Sequence, residues 1–292
     1  MSVKKWLKKN TASLNGKTVA ISGATGGIGE ELCAHLAFLG ASLILLDRNT
    51  KKSEALISRL KEGYPSLSAE HIRLDLADFS LVKEVTEKLI KSVPDYIIFN
   101  AGIYHVERYK CSTGYDNVFQ VNFASPYYMT RRLMPFIKAK GGRVIVVGSI
   151  AHNYSKTDMS DFQFLTRSKS SLVYGNSKRF LMFSLYSLFG EGTSLAVTHP
   201  GITFTNITAH YPKLIFAIIK YPMKVIFMKP KTASLSILRG VFEPTRTNEW
   251  IGPSLFNVWG LPKKQRIKTC SDDERREIAK KADEIYTELE KF

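Results

Sequence analysis

Tyr174 and Lys178 stand four positions apart in YGNSK (174–178), a spacing that puts both on one face of a helix. A phenol of ordinary pKa, near ~10, is too weak an acid to exchange protons at neutral pH. An ammonium one helical turn away stabilises the phenolate and lowers that value. The pair is a candidate proton-transfer device; ordinary helix surface is the alternative that spacing alone leaves open. A second group lies far upstream. In SGATGGIGEEL, Gly23, Gly27 and Gly29 follow an apolar run and precede a helical one. Glycines there permit a tight turn and close approach of a pyrophosphate, which the N–H groups and dipole of the next helix attract. A merely structural turn is the other reading. Asp47 ends the next apolar run, where a carboxylate accepts from both adenosine ribose hydroxyls and repels a 2′-phosphate. Arg48 argues the opposite way, because a guanidinium grips phosphate. Gly26 leaves the loop without a basic side chain, so NAD(H) is modestly favoured over NADP(H).

The elements that must position these groups are legible as alternation. KTVAIS (17–22), SLILL (42–46), EHIRLD (70–75), DYIIFN (95–100), GRVIVVGS (142–149) and SLAVTHP (194–200) are short, apolar and rich in β-branched residues. Such runs suit strands buried on both faces. GIGEELCAHLAFLG, KKSEALISRLKEG and DFSLVKEVTEKLIKS between them carry helical periodicity. The expected fold is α/β, a doubly wound parallel sheet with helices on both faces, as one domain over 1–292. Three stretches depart from the alternation. Residues 150–171 form a long polar connection, and 206–230 are apolar with scattered lysines and prolines. The latter is too interrupted to span a bilayer, and reads as a lid over an apolar pocket, a membrane-touching surface, or core. The basic extension 1–14 begins MSVKKWLKKN, a short helix on a membrane surface or a frayed terminus.

The chain has 292 residues and a formal net charge of +16, which draws anionic partners. No nucleic-acid-binding signature accompanies the charge, and no nucleic-acid partner is expected. Cys33, Cys111 and Cys270 are odd in number and far apart, which suggests a reducing, cytoplasmic setting, with membrane contact at most peripheral. No metal spacing occurs among the histidines, cysteines and carboxylates.

Taken in order, SGATGGIG, LDLAD (74–78), NAG (100–102), VN (121–122), GS (148–149), YGNSK and HPG (199–201) resemble the compact short-chain dehydrogenase/reductase family over about residues 15–260. The long interval from Ser149 to Tyr174, GYDNVFQVNF, and SLFNVWGLPKK followed by a charged terminal helix (271–292) resemble its retinol dehydrogenase-like branch. That branch often carries a membrane-spanning N-terminus, where this chain has only the short basic segment. Ser22 replaces the usual threonine and Gly148 the usual serine.

The resemblance implies hydride transfer between nicotinamide and a lipophilic, retinoid- or steroid-like carbonyl or alcohol. Tyr174 would be the acid/base and Ser149 the hydrogen-bond partner of the substrate oxygen. Lys178 would tune the phenol and bind the nicotinamide ribose, and Asn122 would hold a relay water. Implied cofactor contacts are Ser22, Gly23, Thr25, Gly27, Ile28 and Gly29 in the loop, Asp47 and Arg48 at the ribose, and Tyr174 and Lys178 on the later helix. Asp75 and Leu76 would contact adenine, and Asn100, Ala101 and Gly102 would lie beside the adenosine ribose. Pro200, Gly201 and Ile202 would border the nicotinamide amide, which Thr203 or Thr205 would bond. His105 and His152 could reach the substrate cavity from their loops, whereas His199 would only shape its turn. A non-catalytic dinucleotide-binding sensor or scaffold is the competing function. An epimerase or dehydratase is a third, disfavoured by the glycine spacing. The helix YGNSKRFLMFSLYSLFG is apolar around much of its circumference, which suits a homodimer or burial by this chain's own C-terminal region.

Overall fold

The six apolar runs form β1 (Thr18–Ser22), β2 (Ser42–Asp47), β3 (Ala69–Arg73), β4 (Tyr96–Phe99), β5 (Arg143–Val147) and β6 (Leu195–Thr198) in the computed structural model, which describes residues 1–192, 194–203 and 227–292. Two further strands, β7 (Glu249–Leu255) and β8 (Trp259–Arg266), complete a sheet of order β3-β2-β1-β4-β5-β6-β7-β8. Pairing is parallel up to β7, and β8 returns antiparallel as a hairpin. The sequence does not announce this hairpin, because Pro253 and Pro262 face each other within it. Proline removes a ladder donor and is tolerated near a sheet edge.

Strand alternation divides the core. Ala20, Ile44, Ile97, Phe99, Val144 and Val146 point to one side, and Val19, Ile21, Leu43, Leu45, Ile98 and Ile145 to the other. Both faces are covered, which is why the runs are continuously apolar. On the second side lie α1 (Val3–Asn10), α2 (Gly27–Phe38), α3 (Thr50–Gly63) and α8 (Pro230–Phe242). The first side carries α4 (Phe79–Lys91), α6 (Ser125–Ala139) and α7 (Ser170–Phe189). A short α5 (Asn117–Phe119) passes through a π-turn (Gln120–Ala124) into α6.

The two termini are tied down. Trp6 and Leu7 of α1 are buried in the second-side core while its lysines face out, so this apolar pair serves internal packing. The terminal helix α9 (Asp272–Glu290) buries Ile278, Ala282, Ile285 and Leu289 in the first-side core. Tyr127 donates to Asp283 at 3.0 Å, and Arg131 pairs with the same carboxylate. The helix α7 is enclosed almost throughout from Gly175 to Tyr186. Its apolar circumference is thus covered within the chain, by the sheet, the π-turn and the C-terminal helix together. The proposed lid falls mostly outside the described residues, as does Thr205. Among the described residues no helix is long and apolar enough to cross a membrane.

Candidate active site

Loops from the C-terminal ends of the parallel strands meet where the order reverses between β1 and β4, the crevice in which doubly wound sheets bind ligands. The glycine loop occupies this point. Gly23 has φ +70°, and a Cβ there would lie 2.8 Å from Ala101 Cα. A Cβ at Gly29 would lie 2.1 Å from the Gly23 carbonyl oxygen. No side chain caps α2 at Gly26, so the helix presents its first N–H groups to the crevice beside Gly27 and the half-buried Ile28. Ser22 and Asn100 brace the loop from behind. The Ala101 N–H donates to Ser22 Oγ at 3.2 Å, and Asn100 Nδ2 donates to the Gly23 carbonyl at 2.8 Å. Asn100 is therefore a strap between strands.

Asp47, at the end of β2, is buried and accepts from Thr25 Oγ1 at 3.2 Å. Its Oδ2 has no hydrogen-bond partner, and burial raises its carboxyl pKa above the ordinary value despite the opposing Thr25 bonds. An orphaned carboxylate oxygen at a cradle that a Cβ would fill fits a ribose hydroxyl beside a pyrophosphate. Arg48 is exposed. Asp75 Oδ1 accepts from the Ala77 N–H at 3.0 Å. The Leu76 carbonyl is taken by Ser125 and Gln120, so an adenine contact there would use its N–H.

Across the crevice, Tyr174 and Lys178 share one face of α7 as the spacing predicts. Lys178 Nζ lies 5.8 Å from the centroid of the Tyr174 ring and donates to the Val147 carbonyl at 2.9 Å. Burial lowers the ammonium pKa to about 8. Tyr174 is half-buried, with Tyr104 edge-on at 5.3 Å. Burial pushes the phenol up to about 12, opposed by a hydrogen bond with the Ser149 side chain. Ser149 leaves β5 in extended conformation, and its Oγ accepts from the Ala151 N–H at 3.2 Å. Gly148 before it packs close to Met182: a Cβ would lie 2.6 Å from Met182 Sδ, and that side chain would have to shift. Gly175 lets α7 approach the same turn, where a Cβ would meet the Ala151 carbonyl oxygen at 2.2 Å.

Asn122 sits in the π-turn. Its Oδ1 accepts from the Ile103 N–H and its Nδ2 donates to the Ile103 carbonyl, both at 2.9 Å. Nδ2 also reaches Ser177 Oγ at 3.2 Å. The amide therefore pins the loop after β4, where a Cβ on Gly102 would lie 3.4 Å from Lys178 Nζ. Beyond β6, Pro200 is buried and Gly201 has φ +84°. A Cβ on Gly201 would lie 2.7 Å from the Val258 carbonyl oxygen and 3.0 Å from Met228 Sδ. Ile202 accepts from the Met228 N–H at 3.0 Å, and Thr203 bridges to Met228.

The histidines divide. His152 is not a cavity group: it is 1% exposed and bonded on both ring nitrogens, to the Ser149 carbonyl and to Thr269 Oγ1. Loop membership suggests exposure, but this loop folds back beneath α9. His199 stacks on Trp250 at 4.8 Å and bonds the Asn257 carbonyl, as a turn-shaping residue should. His105 is exposed, with φ 52°. Arg179, Glu274 and Thr269 escaped the sequence reading. The available signal was an arginine inside the otherwise apolar run RFLMFSLYSLF, which demands a buried partner.

A sequence model of the short chain dehydrogenase family matches residues 17–162, half of the chain. Human polyprenol dehydrogenase is 27% identical over 207 residues, covering 66% of this chain and 63% of its own length. Human retinol dehydrogenase 13 is 28% identical over 207 residues, covering 68% of this chain and 62% of its own length. The chain thus spans under two thirds of these relatives. Among solved structures, an uncharacterised protein of Mycobacterium paratuberculosis superposes with a TM-score of 0.71 at 22% identity, covering 97% of this chain and 95% of the other. Pseudomonas aeruginosa RhlG, solved with NADP, gives 0.58 at 20% identity, covering 78% and 90%. These two show likeness of fold.

Proposed function

The chain belongs to the short-chain dehydrogenase family, and from that premise we propose that it transfers a hydride between a nicotinamide dinucleotide and a lipophilic carbonyl or alcohol. The observation that carries this reading is the convergence of Ser149, Tyr174 and Lys178 across the crevice from the glycine loop. A bound nicotinamide supplies or receives the hydride. Ser149 Oγ holds the substrate oxygen. The Tyr174 hydroxyl gives that oxygen a proton in reduction, and its phenolate takes the alcohol's proton in oxidation. Lys178 stabilises the phenolate and binds the nicotinamide ribose. Asn122, whose amide pins the Ile103 main chain and reaches Ser177 Oγ, would hold a relay water beside Lys178.

The buried, unpartnered Asp47 Oδ2 beside an exposed Arg48 supports NAD(H) as the preferred cofactor. Purified protein is expected to turn over members of a panel of apolar ketones, aldehydes and secondary alcohols faster with NAD(H). Asp47→Ser removes the repelling charge and should move the ratio of kcat/KM values toward NADP(H) by roughly 10-fold or more. An unchanged ratio would assign cofactor choice elsewhere. Tight dinucleotide binding without turnover on the whole panel would favour the scaffold reading.

The rim around the crevice supports a lipophilic substrate and peripheral membrane contact. Val106, Tyr109, Tyr154, Leu165, Leu255 and Phe256 are exposed on segments leaving the C-terminal ends of β4, β5 and β7. Phe256 is 81% exposed at the hairpin tip, and Lys229 and Lys231 are exposed just beyond Met228, which Gly201 places near that hairpin. An apolar tip flanked by cations suits an anionic bilayer. The protein should co-sediment with phosphatidylserine vesicles, and Phe256→Asp should weaken this by about 10-fold. Equal binding of the variant would rule out the hairpin as the contact.

A further inference from the structure

We propose that the first turn of α9 belongs to the active site's framework: Glu274 fixes Arg179, and through the Arg179–Thr269–His152 cluster holds Ser149 in its working position. This rests on the reading of Ser149 as the partner of the substrate oxygen.

Arg179 follows Lys178 directly, but its side chain leaves α7 toward the C-terminal segment and is 2% exposed. Its Nε donates to Glu274 Oε1 at 2.8 Å and its Nη2 to Glu274 Oε2 at 2.7 Å, a two-pronged pair between a buried guanidinium and a half-buried carboxylate. Two further donors go to main chain. Nη1 donates to the His152 carbonyl at 3.1 Å, and Nη2 also reaches the Thr269 carbonyl. Glu274 Oε1 accepts the Thr157 N–H at 3.2 Å, so the carboxylate grips the same loop from its other end. Burial works against ionised Glu274, yet the Arg179 and Thr157 bonds outweigh it and keep its pKa below the ordinary value.

The His152 ring closes the connection. Its Nδ1 lies 2.6 Å from the Ser149 carbonyl oxygen, which can only accept, so Nδ1 carries the proton. Nε2 then accepts from Thr269 Oγ1 at 2.9 Å. Phe183 and Trp250 enclose the ring edge-on, and burial lowers its pKa to about 4, which keeps it neutral with this one tautomer. The turn that aims the Ser149 hydroxyl is thus clamped on its carbonyl side by a segment more than 100 residues downstream. Arg179 and Glu274 touch neither the crevice loop nor the predicted cofactor contacts in these bonds; they are positioning residues.

A clamp and a mere stabiliser predict different results. Arg179→Ala alone strands a half-buried carboxylate, leaves a cavity in place of a buried guanidinium and risks unfolding. The double variant Arg179→Met/Glu274→Leu replaces the pair with apolar groups, an exchange that is often neutral or stabilising. It should melt near the wild-type temperature and bind dinucleotide, followed by fluorescence titration, within about threefold of wild type. Amide exchange at Ala151 and His152, whose N–H groups bond Ser149, should accelerate roughly tenfold or more. The kcat should fall about 10- to 100-fold with little change in dinucleotide KM. Arg179→Lys, which keeps the charge but cannot make all four bonds, should lie between. Wild-type exchange at Ala151 and His152 in the folded double variant would overturn the proposal, as would wild-type kcat. Faster exchange in the variant of a protein that turns over no substrate would uphold the clamp while sinking the reaction assigned to Ser149.

Discussion

Tyr174→Phe is expected to lower kcat by about 10²- to 10⁴-fold, the usual contribution of a positioned acid or base. The ring is retained, so its edge-on packing with Tyr104 at 5.3 Å persists and the fold should be undisturbed. Only the hydroxyl beside Ser149 is lost. Dinucleotide affinity, measured by nicotinamide fluorescence, should change by less than about threefold, because the cradle at Gly23 and Gly29 is on the other side of the crevice. The split matters more than the size of the loss. Unchanged kcat would remove Tyr174 from the reaction. A large loss of dinucleotide affinity would make it a binding residue.

Lys178→Met should cost at least as much and should also move the pH profile, in a direction fixed by charge. Burial raises the Tyr174 phenol to about 12 and lowers the Lys178 ammonium to about 8, so below about pH 8 the lysine is cationic. A cation close to the ring favours phenolate. Removing it leaves the phenol harder to ionise. In alcohol oxidation the rate rises with pH as the phenol loses its proton. In Lys178→Met that rise should begin roughly one pH unit or more higher. Carbonyl reduction needs the protonated phenol, so its decline with rising pH should move upward as well. A shift of this kind would belong to the apparent pKa of the Tyr174–Lys178 pair. Stopped-flow hydride transfer across pH in both directions reads it. A profile that stays in place, or moves down, would mean that Lys178 does not tune the phenol. Its bond to the Val147 carbonyl at 2.9 Å would then be its main work.

How legible these features were depends on how far apart their causes lie. The strands β1 to β6 could be read because burial on both faces requires apolar residues at consecutive positions. The hairpin β7–β8 could not. Its tip residues Phe256 and Asn257 have φ 52° and 58°, a conformation ordinarily signalled by glycine or Asn-Gly. Its place beside β6 rests on one registered pair, Thr198 with Ile251. His152 was misjudged because a polar connection reads as exposed loop, whereas α9 folds over this one. Asn122 ties both ends of its amide to the Ile103 main chain, a contact that its place in VN does not reveal.

The sequence by itself determined the α/β alternation, the glycine loop and the shared face of Tyr174 and Lys178. Each depends on residues within a few positions of one another, where spacing translates directly into geometry. Only the tertiary structure decided what supports that chemistry. The Arg179–Glu274 pair, the His152 bridge from Ser149 to Thr269, and the burial of α7 by α9 join parts of the chain distant in sequence. A buried charge or a neutral imidazole declares a need for a partner in the sequence. Which residue meets that need is fixed when packing removes water and brings the one compatible donor or acceptor within reach.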